Sequence, residues 1–135
     1  MRDILFRGKR VDNGEWSHGS LVCWKTGGGV SRYDIFSQGL GNGVIPSTVG
    51  QYTGLDDKDG RRIFEGDIVK CDLYYTASRN PQIGLIRTVA FVDGRFVATR
   101  DQNKVSCGAN SLGFYSNAEV IGNVHDNPEL IMEAK

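Results

Sequence analysis

Apolar and polar positions alternate along this chain in short runs, each closed by a turn residue, which is the spacing of β-strands rather than helices. Ile4 to Lys9 sets Ile4, Phe6 and Gly8 on one face and Leu5, Arg7 and Lys9 on the other. Asn13-Gly14 then supplies the strongest short hairpin signal, so Trp16 to Trp24 is predicted to return as the partner strand, ended by Gly27 to Gly29. "SQGLGNG" (Ser37 to Gly43) reads as a flexible connection. The apolar run from Val44 to Tyr52 reads partly as an edge, because Pro46 cannot donate to a ladder.

Further strands are predicted over 68–75 and 83–92, separated by a polar loop, Thr76 to Gln82, that contains Asn80-Pro81. Asp93-Gly94 makes a two-residue turn into a strand over 95–100. A polar loop from Asp101 to Asn110 precedes a last strand over 118–124. The ending "DNPELIMEAK" changes character: Asn127 suits an N-cap, Pro128 the first helical position and Glu129 the first turn. A short C-terminal helix is predicted there, with Leu130, Ile131 or Met132 facing inward.

Eighteen glycines among 135 residues fit strands and tight turns. A chain of this length buries roughly two thirds of its unfolded surface and needs neither disulfide nor metal to fold. No repeat of 20–50 residues is visible. The expected fold is mainly β: an N-terminal β-rich part over 1–63, then a C-terminal SH3-like small barrel with a short helix over 64–135. The two parts are expected to pack as one compact unit.

The stretch from Gln51 to Lys70, "QYTGLDDKDGRRIFEGDIVK", holds five acidic and four basic residues and three glycines. Its Asp57-x-Asp59-Gly60 matches the centre of a calcium loop. Aligning Gly60 with the sixth position, however, puts Leu55 first and Gly66 twelfth, where carboxylates are needed. Turn chemistry accounts for more. "DKDG" fits a hairpin loop with Gly60 left-handed, and Asp67 can accept N–H groups where the chain turns on Gly66. A Gly-Asp turn feeding a half-buried strand and then two hairpinned strands is a common opening for an SH3-like barrel.

These residues also carry a resemblance. "TVGQYTGLDDKDGRRIFEGDIVK" (Thr48 to Lys70) and "EVIGNVHDNPEL" (Glu119 to Leu130) resemble the two signatures of the YopX family of phage and prophage proteins. "RDILFRGKRVDNGEWSHGSLV" (Arg2 to Val22) is similar to one subgroup of it. The segments cover under half the chain but span both ends in the right order, and residues 72–118 show no family pattern. The resemblance implies a phage-associated origin and a β-rich fold with an SH3-barrel-like part. It implies no activity and no catalytic residues.

Sixteen basic residues balance sixteen acidic ones, which removes the simplest argument for a nucleic-acid binder. Cysteines at 23, 71 and 107 are odd in number and nowhere C-x-x-C, so reduced thiols are expected, with no zinc knuckle. His18 and His125 lie at opposite ends of the chain. "GLGNGV" lacks the G-x-G-x-x-G spacing and cannot open a helix at Val44-Ile45-Pro46. No G-x-S-x-G or activated cysteine is present. We therefore expect no catalytic, cofactor or metal residues and no enzyme activity. The N-terminus lacks the apolar region of a signal peptide, and no run approaches ~18 apolar residues, so a soluble, intracellular protein without membrane contact is expected; the phage resemblance implies that the compartment is the cytoplasm of a bacterial host.

Residues 70–110 hold six basic residues against three acidic ones. A binding surface of Tyr74, Tyr75, Arg79, Arg87, Arg95, Arg100 and Lys104 is the candidate for a nucleic-acid alternative. A solvated strand face is the plainer account of the same residues. Trp16, Trp24, Tyr74, Tyr75 and Tyr115 are candidate interface anchors or core residues. The partner is expected to be a host or phage protein, and sheet edges favour a homo-oligomer.

Overall fold

The computed structural model describes residues 1–74, 79–100 and 110–133. The chain forms two compact units, Met1–Gly54 and Leu55–Lys135. The hairpin ahead of Phe64, assigned from sequence to the first part, goes with the second.

The first unit carries β1 (Phe6–Lys9), β2 (Trp16–Thr26), β3 (Gly29–Ser37), β4 (Leu40–Val44) and β5 (Gly50–Asp56), whose last residues pass into the second unit. The order is β4-β3-β2-β1-β5, antiparallel throughout. Lys9 pairs with Trp16 across the predicted Asn13-Gly14 turn, where Gly14 has φ +73°. The outer edge of β4 turns back on the chain leaving β1. Arg10 bridges Val44, the Val11 N–H donates to the Gly43 carbonyl at 3.0 Å, and the Ile45 N–H donates to the Lys9 carbonyl at 2.8 Å. Inside this curl Ile35 and Val44 are buried against Gly8, where a Cβ would lie 3.0 Å from that of Val44.

Two expectations are corrected here. Ser37 to Gly43 is not a loose connection but the turn and body of a β3–β4 hairpin, in register from Ser37–Leu40 to Tyr33–Val44. Its glycines carry no strand preference of their own. The Phe36 ring holds Gly41 instead, so closely that a Cβ on Gly41 would come within 2.6 Å of it. Pro46 opens a 3₁₀ turn, Pro46–Thr48, between β4 and β5 rather than sitting in an edge strand. Thr48 Oγ1 fastens this turn, accepting the Lys9 N–H at 2.9 Å and donating to the Ile45 carbonyl at 2.6 Å.

The second unit contains β6 (Arg62–Phe64), β7 (Asp67–Leu73), β8 (Gln82–Val92), β9 (Arg95–Thr99), β10 (Asn110–Ser111), β11 (Ser116–Asn123) and α1 (Glu129–Glu133). Five of its strands form an antiparallel sheet, β10-β9-β8-β7-β11. The expected SH3-like barrel is thus a five-stranded sheet among the described residues, ending at β10 and β11, and not a closed barrel. Asp93-Gly94 makes the predicted turn, with φ +51° and +76° and Val92 facing Arg95, as a type I′ hairpin requires. Val69, Cys71, Val89 and Ala98 share one face and pack with Ile63 and Leu112 into the core. On the opposite face Ile68, Thr88, Val97 and Thr99 are also buried.

The Gly66-Asp67 turn is fixed at both residues. Gly66 has φ +87°, its N–H donates to the Val89 carbonyl, and its carbonyl accepts from Val124. Asp67, 1% exposed, accepts the Phe64 N–H at 2.8 Å. At the C-terminus the helix forms as predicted, with Leu130 and Ile131 half-buried; the Met132 side chain lies outside the described residues. Asn127 plays a different part from the expected side-chain cap. Its carbonyl accepts the Leu130 N–H at 3.1 Å, while its side-chain oxygen turns back to accept the Asn123 N–H at 3.2 Å. That oxygen occupies the space a side chain at 122 would need, 2.6 Å from an ideal Cβ on Gly122. Gly122→Ala is expected to expel Asn127 and cost about 1–2 kcal/mol. A lower urea midpoint with faster amide exchange at Asn123 would register it.

Candidate functional site

The cluster around Asp57 sets the geometry of the second unit's open side. Asp57 is 7% exposed, and its carboxylate accepts three backbone N–H groups. Oδ1 takes those of Asp59 and Arg61, each at 2.9 Å, and Oδ2 takes that of Val120 at 3.0 Å. The neighbouring Lys58 N–H donates to the Ala118 carbonyl at 2.8 Å. One carboxylate and one amide thus serve the edge of β11 in place of a further strand. Burial acts to raise the Asp57 pKa, but the N–H groups of Val120, Arg61 and Asp59 outweigh it and hold the carboxyl below its ordinary value. Turn chemistry explains the "DKDG" loop, and the Asp57 oxygens are occupied by N–H donors.

Beside this strap lies a cleft of about 370 Å³, at the lower end of the ~300–1,000 Å³ usual for ligand sites. Its floor is Ile63 and Leu112, 1% and 4% exposed. Leu55, Asp56 and Lys58 line one side, and Tyr115, Asn117 and Ala118 the other. Leu55 is 44% exposed at the rim, and Phe114, in the 3₁₀ turn Leu112–Phe114, is 61% exposed. Lys58 Nζ lies 3.4 Å from Glu119 Oε2. Asn117 has φ +54° where β11 shifts register, and its amide donates to Asp72 Oδ2 at 2.9 Å. Asp72 also accepts the Gly84 N–H at 2.9 Å, and the bonds from Asn117 and Gly84 lower its pKa.

The candidate surface read from sequence is divided by the fold. Tyr74 is 44% exposed and reaches the end of the cleft through Asn117, whose amide lies 3.3 Å from its hydroxyl. Arg87 pairs with Val69 on the core-facing side of the sheet and donates to the Ile86 carbonyl at 2.9 Å. Arg95 pairs with Val92 on the opposite face and donates to Ser111 Oγ at 2.8 Å. Arg79 and Arg100 are exposed. Tyr75 and Lys104 lie outside the described residues. Of the aromatics, Tyr115 packs against the core and lines the cleft. Trp16 is half-buried with the Arg7 guanidinium 4.6 Å from its ring centroid. Trp24 is 45% exposed, its indole N–H held by Asp34 at 2.6 Å.

Sequence reasoning missed Leu55, Lys58, Leu112 and Asn117 as one site. The one local sign was an apolar Leu55 next to an acidic turn, and nothing nearby linked it to residues 112–118.

Among the described residues no group of three or more His, Cys, Asp or Glu is placed to hold a metal. No helix there is long and apolar enough to cross a membrane. Cys71 is buried beside Leu85, and burial pushes its thiol up to about 11, although Arg87 acts in the opposite direction. Thiolate is the reactive form, so Cys71 is expected to resist alkylation in the native chain while exposed Cys23 reacts. Peptide-mapped iodoacetamide labelling, native against urea-unfolded, checks this; rapid native labelling of Cys71 would contradict it.

The fold and cleft define a mainly β protein of two small antiparallel units, the second with a cleft bounded by an Asp-tied hairpin. The chain belongs to the YopX family: the family model, described as YopX protein, matches residues 5–132. The chain is also similar in fold to the crystal structure of protein EF1440 from Enterococcus faecalis. That likeness has 23% identity and a TM-score of 0.50, and covers 97% of this chain and 99% of that one. Comparison with curated proteins returns no match.

Proposed function

We propose that this chain is a non-enzymatic protein-binding module, an accessory protein of phage or prophage type acting in the bacterial cytoplasm, with the second unit's cleft as its contact site. The observation that carries this reading is the cleft itself, with its apolar floor of Ile63 and Leu112 and the exposed Leu55 at its rim. Such a hollow accepts an apolar side chain from a partner, and aromatic or apolar anchors in pockets carry most interface energy. Cys71 is buried in the apolar core, and the Asp57 carboxylate is wholly engaged by backbone, which favours binding over catalysis.

Self-assembly through sheet edges is the weaker form of this proposal. Lys9–Val11 occupy part of the β4 edge, and Asp57 and Lys58 occupy part of the β11 edge. Nucleic-acid binding is disfavoured by the placement of Arg87 and Arg95 on opposite faces. The test is affinity capture from infected or lysogenic cells with the chain and with Leu55→Asp. A defined set of proteins retained by the first and lost by the second is expected. Equal retention by both, or turnover found in a substrate screen, would remove the reading.

A further inference from the structure

We propose that Asn13 is a site of spontaneous covalent modification, at which the side chain loses its nitrogen as ammonia to attack by the Gly14 peptide nitrogen. The site lies in the first unit and is independent of the cleft.

Asn-Gly occurs twice in the chain, at 13–14 and at 42–43. The glycine matters because the next peptide nitrogen must approach the asparagine Cγ closely, and a Cβ there would crowd it. Asn80 and Asn127 precede proline, which has no N–H to give up, and the remaining asparagines precede residues that carry a Cβ. The fold then separates the two pairs. Asn42 is half-buried in β4 and paired with Ile35, and the Gly43 carbonyl accepts the Val11 N–H at 3.0 Å. The Asn42–Gly43 peptide cannot turn without breaking the β3–β4 ladder. Asn13, Gly14 and Glu15 are exposed in the loop between β1 and β2, and nothing stands within 4 Å of a Cβ built on Gly14. The Gly14 N–H donates to the Arg10 carbonyl at 3.0 Å, a loop bond that opens more readily than a ladder.

Glu15 assists at both ends of the amide. Its N–H donates to Asn13 Oδ1 at 2.9 Å, which holds the carboxamide beside the Gly14 peptide. The same bond stabilises the negative charge that this oxygen gains during attack. The Glu15 carboxylate faces the leaving group, with Asn13 Nδ2 3.4 Å from Oε2, and favours the protonated form in which that nitrogen departs. The Gly14 nitrogen bonds to Cγ as its proton passes to water. The Cγ–Nδ2 bond breaks, and Nδ2 takes up a proton and leaves as ammonia. Water then opens the succinimide to aspartate or isoaspartate. Water is the co-reactant, and nothing is oxidised or reduced.

The product bears on the β4 edge. The loop that contains Asn13 also sets Arg10 against Val44 and the Val11 N–H on the Gly43 carbonyl. Isoaspartate lengthens the main chain inside the closure made by the Arg10 N–H and the Glu15 carbonyl at 2.8 Å. That added length loosens the loop and the edge it covers.

The test is incubation of the full chain in mildly alkaline buffer, folded and in urea, followed by peptide mapping with mass spectrometry. Folding should slow conversion at Asn42 at least about tenfold relative to urea, and slow Asn13 less, because the ladder keeps the second site closed. Glu15→Gln should lower the folded-state rate at Asn13 and leave Asn42 unchanged. In the separated isoaspartyl form the Val11 amide should exchange faster than in the unmodified chain. Slowing at Asn13 equal to or greater than that at Asn42 would overturn the proposal. An unchanged rate in Glu15→Gln would overturn the part assigned to Glu15, and unchanged Val11 exchange would overturn the effect on β4.

Discussion

Asp57→Ala is expected to destabilise the second unit by about 3–4 kcal/mol, since hydrogen bonds to a charged group are worth ~1.5–3 kcal/mol each and are not fully additive. Three N–H groups lose their acceptor, and that of Val120, 63 positions away, is part-buried. Asp57→Asn separates charge from geometry. Its carbonyl oxygen can still serve Asp59 and Arg61, but the amide then sets a donor against the Val120 N–H. Its cost should fall between wild type and Asp57→Ala. Urea unfolding gives the free energies, and amide exchange at Val120 locates the damage. A loss under about 0.5 kcal/mol, the scale of a single surface substitution, would show that the strap is not needed. The pH dependence has a definite sign. The carboxyl titrates lower in the folded chain than its ordinary ~3.9, so its stabilisation is complete above that value and is lost as pH falls through the folded pKa. Asp57→Asn should remove this part of the acid limb.

Gly19→Val should prevent the first unit from folding, at a cost above about 4 kcal/mol, in the range reserved for severe clashes. An ideal Cβ at position 19 would collide with the Phe36 carbonyl oxygen, a backbone atom of the neighbouring β3 that cannot rotate away. The contrast is Gly27, around which nothing lies within 4 Å; Gly27→Ala should stay within about ±0.5 kcal/mol. Circular dichroism melts and proton–nitrogen NMR spectra of both variants decide the matter. A dispersed spectrum for Gly19→Val with wild-type strand shifts would refute the claim.

These positions also show where the sequence could be read and where it could not. Asn13-Gly14 and Asp93-Gly94 announced their hairpins because few other residues tolerate the left-handed backbone those turns need. The β3–β4 hairpin stayed hidden because Gly41 and Gly43 have no strand preference; their order comes from Phe36 and from the β3 ladder. Asp57 was legible as a turn former, since two of its bonds are local, but not as the tie to Val120. The cleft joins residues 55–58 to 112–118, a pairing that local pattern cannot supply. Parity alone does not place the arginines. Arg87 and Arg95 are both odd-numbered, but the two-residue turn sets Arg95 opposite Val92, so the two point to different faces.

The packing of Phe36 on Gly41 reaches beyond this one chain. A ring that occupies the volume of a missing side chain makes the two positions a single steric unit, divided between neighbouring strands. Substituting either alone leaves a hollow or a collision, whereas exchanging bulk between them conserves the total. Family members that carry a side chain at the position of Gly41 should therefore carry a small residue at that of Phe36. Such a compensated pair would reveal the β3–β4 register from aligned sequences alone, with no coordinates in hand.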